Sequence, residues 1–230
     1  MSVRLTDHHF ARRGGHLPPV DESLWLDYVC GAGGVYARGR RPGLEVCMPV
    51  ASARVRGLAG VEPYVQWGFP RLPARFLDRM VGASVARCAD APTEALFHLT
   101  YDEERRYHFA QPHSKVMDFH LGWHLEYPEQ HATDQRVRPV HQGTGSSEAR
   151  AVIEVHSHVD GEAVFSEVDD ADEGGLSFRV YAVLGRIFDR PEIRCRVGLF
   201  GHFMEWTAAE FFELPDGVRD RVNFKPITGE

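Results

Sequence analysis

Between Ala151 and Asp170 the chain reads AVIEVHSHVDGEAVFSEVDD, and this stretch limits the fold more than any other. Val152, Ile153 and Val155 are β-branched residues that suit a strand, and Asp160-Gly161 is a turn signal. Ser166 opens an acid-rich segment, read as a short helix from Glu167 to about Glu173, which Gly174-Gly175 then interrupts. Side chains alternate faces along a strand, so His156 and His158 project together while Ser157 faces away. Two imidazoles on one face supply half of a tetrahedral zinc site, and a carboxylate from a nearby loop or helix start, with a water, would complete a catalytic one. Asp169 is placed for that role, because the eleven positions after His158 give enough chain to turn back over the strand.

The rest of the chain sets wider bounds. A length of 230 residues allows one large domain, or one domain with an appendage, and either can bury a real core. The formal charge of −7 argues against nucleic acid as a direct partner, because neutralising phosphates needs a basic surface. No apolar run approaches the roughly 20 residues that span a bilayer, and the N-terminus lacks the apolar core of a signal peptide. Cys30, Cys47, Cys88 and Cys195 are widely spaced and read as free thiols of a reducing compartment. The expected location is the cytoplasm, with no membrane contact.

Residues 1–68 are dense in Gly, Pro and Arg around short apolar runs, which predicts a small β-rich region of unassigned role. His8-His9 reads as a solvated pair, and Arg38-Gly39-Arg40-Arg41 as a solvated basic loop. Apolar spacing predicts an amphipathic helix over 74–88, stopped before Pro92, and a strand at Ala95–Leu99. A polar turn at Asp102–Glu104 leads to a returning strand from Arg106 to Phe109. Glu94, at the entrance to the first of these strands, reads by itself as a surface acid. His108, His113, His120, His124, His131 and His141 crowd one region, but Gly122 and the aromatics around His120 and His124 suit a strand better than a metal-binding helix face. Further strands are expected at Leu176–Gly185, over Ile193–Leu199 and at Phe203–Trp206, then an apolar close at Ala208–Leu214 and a polar extended tail.

The pattern His156-x-His158-x7-Ser166-x2-Asp169 resembles the signature of JAMM metalloproteases, the zinc-dependent members of the JAB/MPN domain family. That family also has a glutamate at the start of the strand after its first long helix, and the helix at 74–88 followed by Pro92-Thr93-Glu94-Ala95-Leu96-Phe97 resembles that element. The resemblance covers about residues 69 to 214. It implies an α/β (α+β) fold: a mixed, curved β-sheet flanked by helices, of the cytidine deaminase-like kind, occupying 69–230 behind the β-rich region 1–68. More narrowly, an N-terminal extension on a diverged JAB domain resembles the PRTRC system protein A family, found in bacterial cassettes with ThiF-related and ubiquitin-like proteins. The chain departs from the family pattern at Val159, where proline is usual, and at Phe97, where a glycine is usual.

On this resemblance His156, His158 and Asp169 hold Zn²⁺, Glu94 is the general base, and Ser166 donates a hydrogen bond to the developing oxyanion. Each residue also has a plainer reading. Ser166-x-x-Asp169 is a helix N-cap with an acid at N3, which is compatible with ligation. Glu154 shares the face of His156 and His158, so it is a rival base or an acid that orients an imidazole. Asp170 and Asp172 are competing ligands that only the spacing from Ser166 sets aside. Two functional classes follow. One is a zinc isopeptidase or peptidase acting on a ubiquitin-like protein or peptide, with a ThiF-related protein as a further partner. The other is a non-catalytic JAB scaffold working through protein contacts in a plasmid or mobile-element system.

Overall fold

The computed structural model describes residues 5–102, 114–175 and 177–222. They form a mixed α and β structure dominated by sheet, with few helices. The turn-rich N-terminal region folds as strands β1 (Thr6–Phe10), β2 (Leu26–Gly31), β3 (Gly34–Arg41), β4 (Leu44–Ser52) and β5 (Tyr64–Trp67), ordered β1-β2-β3-β4-β5 in one sheet. The basic run at Arg38–Arg41 is not a loop: it lies in β3, and Arg38 is only 4% exposed. Charge alone suggested solvation, but Asp27 is the register partner of Arg38 on β2 and pairs with its guanidinium. His8 and His9 lie in β1, where His8 stacks on Tyr28 and His9 Nε2 is 3.3 Å from Asp27 Oδ1.

Helix α1 (Ala74–Asp90) follows Pro73, and its 3–4 spacing buries Phe76, Leu77 and Met80. The second sheet then begins with β6 (Leu96–Tyr101), β7 (Ser114–His120) and β8 (Trp123–Pro128). His120 and His124 sit on the two arms of the β7–β8 hairpin, not on a helix face. The expected returning strand at Arg106–Phe109, with His108 and His113, lies outside the described residues. A small pair, β9 (Gln130–Ala132) and β10 (Val137–Pro139), and a short helix α2 (Ser147–Arg150) lead to β11 (Ile153–Ser157). Then come α3 (Glu167–Glu173), β12 (Phe178–Gly185), β13 (Glu192–Leu199), β14 (His202–Trp206), α4 (Ala208–Phe211) and β15 (Arg219–Asp220). The order across the sheet is β14-β13-β12-β11-β6-β8-β7, with β15 pairing the start of β13.

β11 is interior to this sheet, antiparallel to β6 and parallel to β12, so a crossover carrying α3 must connect it to β12. Its alternation assigns the faces. Ile153 and Val155 enter the core, and the intervening positions, Glu154 and His156, face the other way.

The division at residue 68 falls between β5 and α1, yet packing crosses it. Ala37, Leu44, Val46 and Met48 from the N-terminal sheet join Phe76, Phe97, Val155 and Leu199 in one buried cluster. At Gly39 the contact is close enough that a Cβ would stand 2.4 Å from Leu199 Cδ1. Burial of each large apolar side chain is worth about 1.5–3 kcal/mol, so hydrophobic contact, not a linker alone, holds the N-terminal sheet to the rest. Among the described residues no helix is long and apolar enough to cross a membrane.

Candidate metal centre

His156 lies next to the end of β11, and the residue is almost fully enclosed at 6% exposure. His158 lies one residue beyond the strand, where its amide still donates to Leu184 O of β12 at 2.8 Å and keeps the extended alternation. The two rings are 5.4 Å apart, centroid to centroid. The chain then turns at Asp160-Gly161, and the segment leading to α3 packs on the end of β12. A Cβ at Gly185 would stand 2.1 Å from Ala163 N, so only glycine admits that approach. Glu162, in the same segment, pairs with Arg186 at 2.5 Å and Arg221 at 3.0 Å.

Ser166 caps α3 in a reciprocal capping box with Asp169. The backbone N–H and the hydroxyl of Ser166 each donate to Asp169 Oδ2 at 2.7 Å. The other oxygen, Oδ1, turns to His156 and lies 3.2 Å from its Nε2. One ligand atom from each of His156, His158 and Asp169 lies within 4.8 Å of the others.

The donor atoms fit a divalent ion such as zinc. His156 Nε2 is buried with no hydrogen-bond partner. His158 Nδ1 lies 2.9 Å from the carbonyl of Glu162, which can only accept. Nδ1 therefore carries the proton, and Nε2 is left with its lone pair. Two imidazoles and one carboxylate would give an ion three protein ligands, the number found at catalytic rather than structural zinc sites.

Glu94 is not a surface acid: only 4% of it is exposed. Reciprocal bonds place it beside the histidines. Ser157 N donates to Ala95 O at 2.9 Å, and Ala95 N donates to Ser157 Oγ at 3.0 Å, locking the start of β6 against the end of β11. Glu94 N donates to Thr133 O, fixing its backbone from the other side. Burial pushes its carboxyl up to about 7; His156 opposes the shift, and Asp169 adds to it.

Glu154 has the contrary environment. Its Oε2 accepts from Arg179 at 2.9 Å and lies 3.6 Å from His98 Nε2. Burial raises its pKa, but His98 and Arg179 outweigh that and hold it down at about 2. The other acids near the site are also committed, Asp170 to Arg196 and Asp172 to Arg136 and Arg138.

Two participants were not anticipated from the sequence. Glu173, on the last turn of α3, is buried with Oε1 4.0 Å from His156 Nδ1, and Oε2 2.7 Å from Arg196 Nη2. Arg196 comes from β13, its guanidinium held 3.9 Å from the ring centres of both Phe165 and Phe203. The Arg196–Glu173 pair thus fixes the C-terminal end of α3 behind His156, while Phe165 braces the residue before the cap. A glutamate four positions after Asp169 was visible in the chain, but its cation arrives only through the pairing of β12 with β13.

His156 responds to these acids. Burial lowers its pKa, but Asp169, Glu173 and Glu94 outweigh that and raise it to about 9. The same partnership, with the Ser166 donors, offsets burial at Asp169 and keeps that carboxyl far below the usual carboxylate range. The pocket is built around positive charge, which a proton on His156 or a bound cation supplies. Comparison with family profiles, with curated proteins and with solved structures gives no match.

Proposed function

We propose that the chain is a zinc-dependent hydrolase of amide or isopeptide bonds, carried on a JAB/MPN-type domain of the JAMM kind. The observation that carries this reading is the convergence of free donor atoms of His156, His158 and Asp169 beside a buried carboxylate, Glu94, poised near neutrality. The substrate class proposed is a ubiquitin-like protein or its conjugates in a bacterial PRTRC-type system, with a ThiF-related protein as a further partner and the cytoplasm as the setting.

His156 Nε2, His158 Nε2 and Asp169 Oδ1 would hold the ion. Zinc so bound supplies Lewis acidity and brings the pKa of a water down to about 7. Glu94 takes a proton on its carboxylate as a carbonyl carbon is attacked and returns it to the departing amine. Positioned acid–base catalysis of this kind is worth about 10²–10⁴-fold. A carboxyl with a pKa of about 7 suits both halves of that exchange at neutral pH. Glu154, bound to Arg179 and far more acidic, is unsuited to it.

Ser166 serves twice. Its amide and hydroxyl together orient Asp169, and because the amide alone still holds Oδ2, the hydroxyl is free to turn to a substrate oxyanion. A well-aimed donor of that kind contributes about 3 kcal/mol.

The test is metal analysis of the purified chain together with incubation against a ubiquitin-like fusion. One equivalent of zinc and chelator-sensitive cleavage are expected. A chain that takes up no zinc when offered it would sink the reading.

A further inference from the structure

A second cleft lies away from the metal centre. It encloses about 860 Å³ where the N-terminal sheet meets β12 and the C-terminal end of α3, and none of His156, His158, Asp169 or Glu94 lines it. Its size falls in the range of small-molecule sites, about 300–1,000 Å³.

Four arginines, Arg40, Arg41, Arg138 and Arg179, line it together with four acids, Glu22, Glu148, Glu154 and Asp172. Three have carboxylate partners: Arg40 with Glu22 and Glu45, Arg138 with Asp172, and Arg179 with Glu148 and Glu154. Among the described residues Arg41 has no carboxylate in ion-pair range, and its guanidinium bonds the carbonyl of Phe178 at 2.5 Å. Arg179, 6% exposed, keeps a buried Nε with no hydrogen-bond partner. Burial lowers the pKa of Arg41, and the like charge of Arg179 lowers it further. Arg41 thus lines the cavity without an acid of its own, next to the like charge of Arg179.

Aromatic residues also line the cleft. Trp25 stacks on Phe200 with ring centres 5.5 Å apart, yet Trp25 remains 42% exposed. Phe200 occupies the left-handed region at φ 49°, which a bulky residue disfavours. That conformation belongs to the two-residue Phe200-Gly201 turn between β13 and β14, as it does at Leu121-Gly122 between β7 and β8.

We propose that this cleft is a second ligand site, independent of the metal centre, for a small molecule with a carboxylate or phosphate group and a flat apolar part. The anion pairs with Arg41, whose planar fork matches either group, and the flat part lies on the Trp25–Phe200 stack.

Calorimetric titration of the full chain with two matched pairs tests this. Adenosine diphosphate is set against adenosine, and a phenylalanine-containing dipeptide with a free C-terminus against its amidated form. At least one anionic member should bind while its neutral counterpart does not, and the pair that responds identifies phosphate or carboxylate as the group taken. Arg41→Met should weaken that binding by at least about tenfold, whereas a probe held at the metal centre would not sense this change. Trp25→Phe should abolish the ligand-induced change in tryptophan emission. If Arg41→Met does not fold, Arg41→Lys keeps the charge but loses the fork, and should still weaken binding. The proposal is overturned if neither anionic probe binds at about 5 mM, if neutral and anionic members bind alike, or if the arginine variant that folds retains wild-type affinity.

Discussion

Glu154 and His156 are two residues apart on one face of β11, yet they head regions of opposite electrical character. Around His156 stand Glu94, Asp169 and Glu173, with Arg196 engaged behind Glu173 and, among the described residues, no arginine on Glu94. Around Glu154 stand Arg179 and His98, and Arg41 lines the same cleft. The same side-chain chemistry is consequently split. The carboxyl of Glu94 is pushed up to about 7, and that of Glu154 is held at about 2. A carboxylate already matched by an arginine is spent on structure, whereas acids crowded around an imidazole favour positive charge among them. Position on the strand face does not distinguish these roles, but the charges delivered by neighbouring strands do.

The contrast can be broken most directly at the ligands. Asp169→Ala should lose stoichiometric zinc altogether, a larger effect than the 10–100-fold typical of an outer partner, as metal analysis after dialysis would show. Next is the exchange of the two acids. Glu94→Gln should lower hydrolysis about 10²–10⁴-fold while leaving zinc content unchanged. Glu154→Gln should leave turnover at its wild-type order of magnitude but cost stability. About 3 kcal/mol is expected, the low end for breaking a buried pair, because Glu148 remains on Arg179. Denaturant melts and initial rates of the two variants decide the matter, and equal losses of rate would erase the distinction drawn between the two ends of the strand.

Ser166→Ala should retain zinc, because the amide of residue 166 still binds Asp169 Oδ2. It should lower hydrolysis about 10²–10³-fold, as for removal of an oxyanion donor, and cost about 1 kcal/mol of stability through the lost cap. Glu173→Gln should keep the fold of α3 and weaken zinc binding about tenfold, the lower part of the range for a residue that orients a ligand, because Glu173 acts on His156 across 4.0 Å rather than through a short bond. A competition titration against a coloured chelator would measure it.

What was legible in the sequence divides along the same line. The two histidines, the cap at Ser166 and the acid at Asp169 are local: strand alternation and helix-start chemistry fix them within twenty residues, and β11 and α3 follow those signals. The helix at Ala74–Asp90 and the strand after it were legible from apolar spacing, and the mixed α and β character with them. What depends on one strand finding another was not. Arg38 read as solvated because nothing in its own segment announces Asp27, its partner on the adjacent strand. The fate of Glu154 waited on Arg179, which the parallel pairing of β11 with β12 brings alongside. Glu94 was found only through resemblance, since its burial comes from the lock between Ala95 and Ser157. β15 is two residues long and carries no periodic signal.

The smallest effect is set by pH and separates the two ends without a substrate. In the metal-free protein His156 is raised to about 9, so at pH 7 its imidazole carries a proton that zinc must displace. Zinc affinity should therefore rise about tenfold per pH unit up to about pH 9. Stability without metal runs the other way. The folded pKa values of His156 and Glu94 both lie above their unfolded values, so the folded state binds more protons than the unfolded chain across this range. Their contribution is complete below the unfolded values and is lost as pH rises through about 7 for Glu94 and about 9 for His156. The melting temperature of the metal-free chain should accordingly fall from pH 6 to 9 (a window set by those two groups together with Glu173, whose carboxyl burial pushes up to about 8), while zinc-loaded protein resists the fall. Glu154 contributes nothing to that slope, because its depressed pKa confines its loss to acid, as pH drops through about 2. Glu94→Gln should flatten the metal-free slope and Glu154→Gln should shift the curve down without changing its tilt. A Glu154→Gln curve that flattened instead would place that acid in the pocket with His156.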